Sequence, residues 1–364
     1  MEPEKSSDSP RPVLSVVIVN YRSWPDVLRL VESLDIIKGR SEVIVVDNAS
    51  PEPIPEELLS PRDGVRVVVR SENGGFSAGV NEGWRLARGR WLLILNPDIE
   101  PGSRFLEQVE RRINALRDRD RTGIIGFALQ NPDGSRQPSV GVFPGLVRTA
   151  WEQLIPRDRR KYQPDWRLRP GPVDWVTGAC LLVDSRLLDE LGGMDEDFFL
   201  YHEEVALCRS AWDRGWAVHY DPSVAVVHLR PLQNRAISPK MRVITRHSKL
   251  LYFRKHLPTW QFAALCSIVQ TEARIRGMIS RLRGKSAQVR SWKSVVRVAR
   301  LLRSGGELRG RAVLDLAEEA ENPTDEIEGP PGPGIPPILR VVSNAQPRRP
   351  HGLRRLQPRK DGPA

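Results

Sequence analysis

Cysteine is nearly absent from this sequence, with only Cys180, Cys208 and Cys266 in 364 residues. That excludes a disulfide-stapled scaffold. No pair stands at metal-site spacing either, so a reduced, cytosolic protein is expected. Long apolar runs are also missing. The longest, Val13–Val19 and Phe262–Val269, fall short of the roughly 18–20 residues that span a bilayer. The opening MEPEKSSDSPRP is polar and proline-bearing, with no apolar stretch behind it, so neither a leader nor a membrane span is expected. No internal repeat is present. No basic-aromatic RNA signature is visible, and no specific nucleic-acid partner is expected. Acid is scarce in one place only: residues 231–364 carry 26 Lys/Arg against 10 Asp/Glu, whereas residues 1–230 carry 30 against 35. The whole net charge of +11 therefore belongs to the C-terminal third. An anionic partner for that third is one reading; a solvated basic helical surface is the other.

What is present is a series of short β-branched runs without polar alternation, the mark of strands buried on both faces. Leu14–Asn20, Glu42–Asp47, Val65–Arg70 and Arg90–Leu95 read this way, with helical periodicity over Trp24–Leu34 and Asn81–Arg88 between them. Strands alternating with helices predict a mostly parallel, Rossmann-like sheet in an α/β protein. Further on, Glu107–Leu116 reads as a helix and Gly123–Gln130 as a strand. Residues 139–172 read as an irregular, mobile surface segment. Val173–Val183 reads as one apolar strand with Gly178 and Ala179 at its centre, Glu203–Arg214 as a helix ended by Gly215, and Val224–His228 as a short strand. Residues 236–320 form a basic, helical extension. Residues 1–12 and the proline-rich 321–364 are expected to be disordered.

In parallel sheets, ligands sit beyond the carboxyl ends of the strands. Those ends here carry Asn20-Tyr21, Asp47-Asn48, Asn73-Gly74-Gly75 and Asn96-Pro97-Asp98. Taken one at a time, each has an ordinary structural reading: Asp47 and Asp98 as Asx turns, the glycine pair as a plain turn, His228 as a satisfied core histidine. Glu203-Glu204 equally suits a helix N-terminus. As an acid directly after a buried strand, Asp98 also suits a hard divalent cation bridging diphosphate oxygens.

Taken in order, the segments SVVIVNYRS (15–23), VIVVDNAS (43–50), ENGGFSAGVNEG (72–83), LLILNPDIE (92–100), WVTGACLLV (175–183), GGMDEDFFLYHEEVALCRSAWDRGW (192–216) and VVHL (226–229) resemble the nucleotide-sugar-dependent glycosyltransferases of family 2, which have the GT-A fold. The likeness is strongest to the rhamnosyltransferase-like branch that builds bacterial cell-surface glycans. It covers about residues 13–255, and a GT-A domain over 13–235 is expected.

The resemblance implies an inverting transfer from a nucleotide-sugar donor to a polysaccharide or lipid-linked glycan. Asn20, Tyr21, Asp47, Asn73, Phe76, Asn81 and Asn96 would bind the donor nucleotide. Asp98 and His228 would hold Mg²⁺ or Mn²⁺ against the diphosphate. Glu204, beside Glu203, would be the general base. Trp175, Gly178 and Asp195 would lie near the donor sugar or the acceptor, although Trp175 reads equally well as a core side chain. Three departures from the family pattern stand out: Glu204 where Asp is usual, Ala206 where Asp is common, and Leu229-Arg230-Pro231 after the histidine. Arg230 is a further candidate for binding phosphate. A rival expectation is a GT-A-like binding module without turnover. The basic residues 240–319 suit peripheral contact with an anionic membrane, on the inner face of the cell membrane, or packing against the catalytic part.

Overall fold

The computed structural model describes residues 12–36, 39–59, 63–117, 121–152, 169–230 and 237–321. The expectations for residues 1–11 and 322–364, and for part of the 139–172 segment, lie outside the described residues.

The first half alternates as expected. β1 (Leu14–Asn20), α1 (Trp24–Ser33), β2 (Ser41–Asp47), α2 (Glu56–Leu59), β3 (Val65–Val69), α3 (Phe76–Leu86) and β4 (Trp91–Leu95) follow one another. β1 pairs in parallel with both β2 and β4, and β2 with β3. The register sets Asn20 opposite Asp47, and Asp47 opposite Val69. The strand ends therefore form one straight polar edge. Alternate residues serve different layers: Val16, Ile18, Leu93 and Leu95 pack with Leu30 of α1, whereas Val17, Val19, Leu92 and Ile94 belong to the core on the other face. α3 lies close on that second face because Gly79 and Gly83 meet β1; an added Cβ would fall 2.6 Å from Val19 Cγ1 and 2.5 Å from Val17 Cγ1.

The chain continues through β5 (Ile99–Pro101), α4 (Phe105–Ala115), β6 (Thr122–Gln130), β7 (Arg136–Gln137), β8 (Val140–Gly141), α5 (Leu146–Glu152), β9 (Gly171–Pro172), β10 (Trp175–Val176), β11 (Cys180–Asp184), α6 (Ser185–Leu191), α7 (Glu203–Asp213) and β12 (Ala217–His228). The main sheet runs β3-β2-β1-β4-β11-β6-β12-β5. β11 is antiparallel to both of its neighbours, while β12 is parallel to β6. Two sequence expectations are corrected here. Val173–Val183 is not one strand, because Thr177 to Ala179 break it and β10 pairs with β8 in a separate ribbon. β12 is longer than the expected Val224–His228, and a bulge between Asp221 and Ala225 carries it past Pro222.

Four more helices follow among the described residues: α8 (Pro239–His256), α9 (Thr259–Leu282), α10 (Ser286–Arg303) and α11 (Arg311–Glu321). Pro239 opens α8, and the Ser238 hydroxyl accepts a hydrogen bond from the Met241 amide, as an N-cap should. These helices share the core on the α3 face of the sheet: Val243, Ile244, Leu251, Val295 and Leu314 belong to the same buried cluster as Val17 and Ile94.

Candidate active site

A cleft of about 380 Å³ opens at the carboxyl edge of the parallel strands. Its floor comes from Tyr21 after β1, Asn48 after β2, Asn73 and Gly75 before α3, and Asn96-Pro97-Asp98 after β4. The opposite side is formed by Thr177-Gly178-Ala179, Tyr201, Glu203 and Glu204, with His228 and Arg230 following β12.

Asp98 and His228 meet because β12 pairs antiparallel with β5, which sets His228 opposite Ile99. The Leu229 amide donates to the Asp98 carbonyl at 3.0 Å, and His228 Nε2 lies 3.3 Å from Asp98 Oδ1. Arg230 pairs with Asp26, and its Nε is 3.8 Å from Asp98 Oδ2. The other histidine nitrogen, Nδ1, is 2.9 Å from the Gln137 amide nitrogen, while Gln137 Oε1 is buried without a hydrogen-bond partner among the described residues. Amide nitrogen and oxygen are interchangeable by a half-turn. Turned so, Gln137 Oε1 would accept from Nδ1–H and leave the Nε2 lone pair facing Asp98.

These residues fit a divalent cation of the kind the resemblance implies. One carboxylate and one imidazole, 3.3 Å apart, span neighbouring positions of a shell, and Mg²⁺ ordinarily takes only one or two protein carboxylates plus substrate phosphates. No group of three or more His, Cys, Asp or Glu that could hold a metal occurs among the described residues, so diphosphate and water would supply the remaining ligands.

The turn after β2 and the turn before α3 are held together by a chain of amides. Asn48 Nδ2 donates to Asn73 Oδ1 and to the Gly75 carbonyl, both at 2.9 Å, and Arg70 donates to Asn48 Oδ1. Gly75 has φ +94°, and an added Cβ would fall 2.3 Å from the Phe199 carbonyl oxygen. The Phe76 amide donates to that same oxygen at 2.8 Å. The turn before α3 is thereby tied to the segment that leads into α7.

Glu203 and Glu204 start α7 and are buried at the cleft. The two residues before them, Tyr201 and His202, have φ of +68° and +67°. This left-handed conformation is costly for side chains of that size and concentrates at functional sites. Gly178 faces Glu204: an added Cβ would lie 3.5 Å from Glu204 Cβ and 3.9 Å from Phe76 Cε1. Ala206 points into the core beneath the site rather than into the cleft.

Tyr21, Asn73, Phe76, Asn96, Asp98, Gly178, Glu203, Glu204 and His228 are thus brought together. Five other expected site residues are not. Asp47, only 2% exposed, lies below the floor; Asn20 donates to its Oδ1 at 2.7 Å and the Ser50 amide to its Oδ2 at 3.0 Å. Asn20 and Asp47 shape the turn at 48–50. Asn81 sits in the middle of α3, donating to the Met194 carbonyl and to Glu196 Oε1 and accepting from the Met194 amide; it fastens the 193–196 turn. Trp175 is 1% exposed and donates to the Val142 carbonyl, with its ring against Gly141, so no face is left for a sugar. Asp195 is a surface partner of Lys255, at 2.6 Å.

Sequence reasoning missed Gln137, which lies in no motif. It also missed Lys240, Met241 and Ile244 of α8 and Leu314 of α11, which line the cleft from the helical third. No local signal marks these four.

The carboxyl edge of this α/β sheet thus carries a buried acid pair opposite an Asp–His pair. The glycosyl transferase family 2 model matches residues 15–192. The chain is 31% identical over 241 residues to the N-acetylglucosaminyl-diphospho-decaprenol L-rhamnosyltransferase of Mycobacterium tuberculosis, covering 59% of this chain and 76% of that one. Other relatives are a low-salt glycan biosynthesis hexosyltransferase of Haloferax volcanii (26% identical, 63% and 71% covered) and the rhamnosyltransferase WbbL of Escherichia coli (22%, 62% and 86%). Among solved structures, a mannosyltransferase of Pyrobaculum calidifontis in complex with GDP-Man and Mn²⁺ is a distant likeness, 16% identical with a TM-score of 0.46 over 87% of this chain and 88% of that one. The chain belongs to glycosyltransferase family 2 and is a nucleotide-sugar-dependent glycosyltransferase. No helix among the described residues is long and apolar enough to cross a membrane.

Proposed function

We propose that this enzyme transfers a deoxyhexose of the rhamnose type, with inversion, from a nucleoside-diphosphate sugar to a lipid-linked glycan or polysaccharide. The observation that carries the reading is that buried Glu204 and the Asp98–His228 pair line one cleft. Glu204 accepts the proton of the acceptor hydroxyl as that oxygen bonds to the anomeric carbon and the bond to the diphosphate breaks. Tyr21, Asn73, Phe76 and Asn96 hold the nucleotide side, with Asn20 and Asp47 supporting the turn below. Asp98 and His228 would hold Mg²⁺ or Mn²⁺, which would supply positive charge for the diphosphate leaving group. Arg230 supplies fixed positive charge to the same oxygens. Residues 13–235 are read as the catalytic unit and 236–320 as an extension that closes the acceptor side and meets an anionic membrane, on its cytoplasmic face.

Glu204→Gln, assayed against candidate donors and acceptors, is the test. Turnover should fall by about 10²–10⁴, while stabilisation by the donor nucleotide with Mn²⁺ persists; a saturating ligand at ~100 times its Kd adds about 2.7 kcal/mol. Retained turnover overturns the role of Glu204. A chain that no UDP, GDP or dTDP sugar stabilises, with or without metal, overturns the donor site.

A further inference from the structure

α9, the longest helix among the described residues at 24 residues, is apolar on two opposite faces. Phe262, Leu265, Cys266, Val269 and Ala273 are buried in the core. The outward face carries Trp260, Ile268, Ile275, Met278, Ile279 and Leu282, with Trp260 63%, Met278 61% and Leu282 82% exposed. Their spacings of 3, 4, 7 and 8 put them on one side of a 3.6-residue helix, where a helix facing only water carries polar residues. A contiguous exposed apolar stripe of this kind marks an interaction surface.

The charges beside the stripe say what it meets. A groove of about 1130 Å³ runs between α9 and α10, with Gly277, Met278, Trp292 and Val296 among its lining and only basic residues as its charged groups. Arg274, Arg281, Lys285, Lys293 and Arg300 line it and are exposed; none has a carboxylate within ion-pair distance among the described residues. From Thr259 to Arg303 the chain has ten Lys/Arg and one acid, Glu272, and that acid is occupied by Arg246 and Arg276. A second copy presenting the same face would bring like charges together. A nucleic acid would use the cations and leave the isoleucines in water. A surface with phosphate anions above an acyl region satisfies both sets at once.

We propose that the outer face of α9 and the α9–α10 groove dock this protein on an anionic phospholipid bilayer. The Trp260–Leu282 stripe enters the headgroup–acyl boundary and the groove cations take lipid phosphates. The helix lies in the interface, in keeping with the lack of any spanning helix among the described residues. This localises the membrane contact read above to one face, and it rests on that reading only for the purpose of docking, which is to bring the cleft to a lipid-linked acceptor.

The test is flotation of the full chain with vesicles of phosphatidylcholine alone, or of phosphatidylcholine with phosphatidylglycerol. The wild type should float with the anionic vesicles and not with the neutral ones. Two variants divide the surface: Ile275→Asp with Ile279→Asp, and Arg274→Glu with Lys293→Glu. Each should weaken anionic-vesicle binding by roughly tenfold or more with an unchanged melting temperature, since all four positions are exposed. Wild type that fails to float overturns the proposal. Unchanged binding by the isoleucine variant also overturns it, and salt-sensitive binding to RNA at that affinity would reassign the cations to a polyanion. A concentration-dependent dimer that the isoleucine variant abolishes, without flotation, would reassign the stripe to a second copy. Turnover on a water-soluble acceptor should survive both variants, whereas Glu204→Gln should lose turnover and still float. Docking and catalysis therefore fail separately.

Discussion

The sheet edge and the helical third lie on a common core but use buried polar groups in opposite ways. At the edge, buried amides and acids bond one another in a chain that ends in the cleft: Asn20 to Asp47, Arg70 to Asn48, Asn48 to Asn73 and Gly75. In the helices, His247 Nε2 donates to the Leu308 carbonyl, while among the described residues His247 Nδ1, the Tyr252 hydroxyl and His256 Nε2 are buried without hydrogen-bond partners. Burial, with the Arg254 charge adding to it, pushes the His247 pKa down to about 4, and burial with Arg209 and Lys255 lowers that of His256. A connected polar network positions ligand-binding groups, whereas isolated buried polar atoms only add to the desolvation cost of a packed layer. The helical third acts on the site from outside instead. Lys255 grips Asp195 and Asp197, Arg309 grips Asp197, and the Ser248 hydroxyl donates to the Leu200 carbonyl, all within the segment that runs into Glu203.

Four experiments break or sharpen that contrast. The largest effect is expected from Gly75→Ala, whose methyl group would collide with the Phe199 backbone at positive φ; stability should fall by about 2–4 kcal/mol in denaturant melts, and turnover with it. An unchanged melt would mean that the edge and the α7 segment are not tied there.

Next comes acid. The unfolded His247 takes a proton near the ordinary 6.5, and the folded one only near 4, so the unfolded chain binds more protons between those values. Stability should therefore drop as pH falls from 6.5 to 4, by roughly 3 kcal/mol at most. His247→Gln should flatten that slope without changing the nucleotide-binding constant.

Third, Gln137→Leu should weaken Mn²⁺ binding by about 10–100-fold, read by calorimetry, while Gln137→Glu keeps an acceptor at Nδ1 and retains most of the affinity. Equal losses in both would show that Gln137 merely fills space.

The smallest stability effect belongs to Lys255→Met, whose partly exposed ion pairs are worth about 1 kcal/mol or less. If its hold on 195–197 positions Glu204, kcat should fall roughly tenfold with the donor KM unchanged.

Much of the edge was legible from sequence because buried parallel strands and the polar residues at their ends are local patterns. β1 to β4 fall where the β-branched runs predict, and Asp98, Glu204 and His228, which the ordered motifs singled out, line one cleft. What stayed hidden depended on contacts distant in sequence. Motif membership does not separate Asn73, which faces the cleft, from Asn81, which faces the 193–196 turn one and a half helical turns along α3. Trp175 reads alike as a stacking platform or a core residue until Gly141 is seen beneath its ring. Met241, Ile244 and Leu314 lie in a region read for its charge, and only the packing of α8 and α11 on the sheet brings three of its apolar side chains to the cleft.

The paired left-handed residues Tyr201 and His202 carry a cost that outlasts the catalytic argument. Strain of about 1–3 kcal/mol per residue is held in place by neighbours, so this stretch of backbone is one where a more comfortable residue would make the protein tougher. Tyr201→Gly should raise the melting temperature and slow the enzyme. A population of this chain passed through heat without a demand for glycan synthesis would drift toward such changes here, while one kept under that demand would hold the tyrosine and tolerate the lower margin.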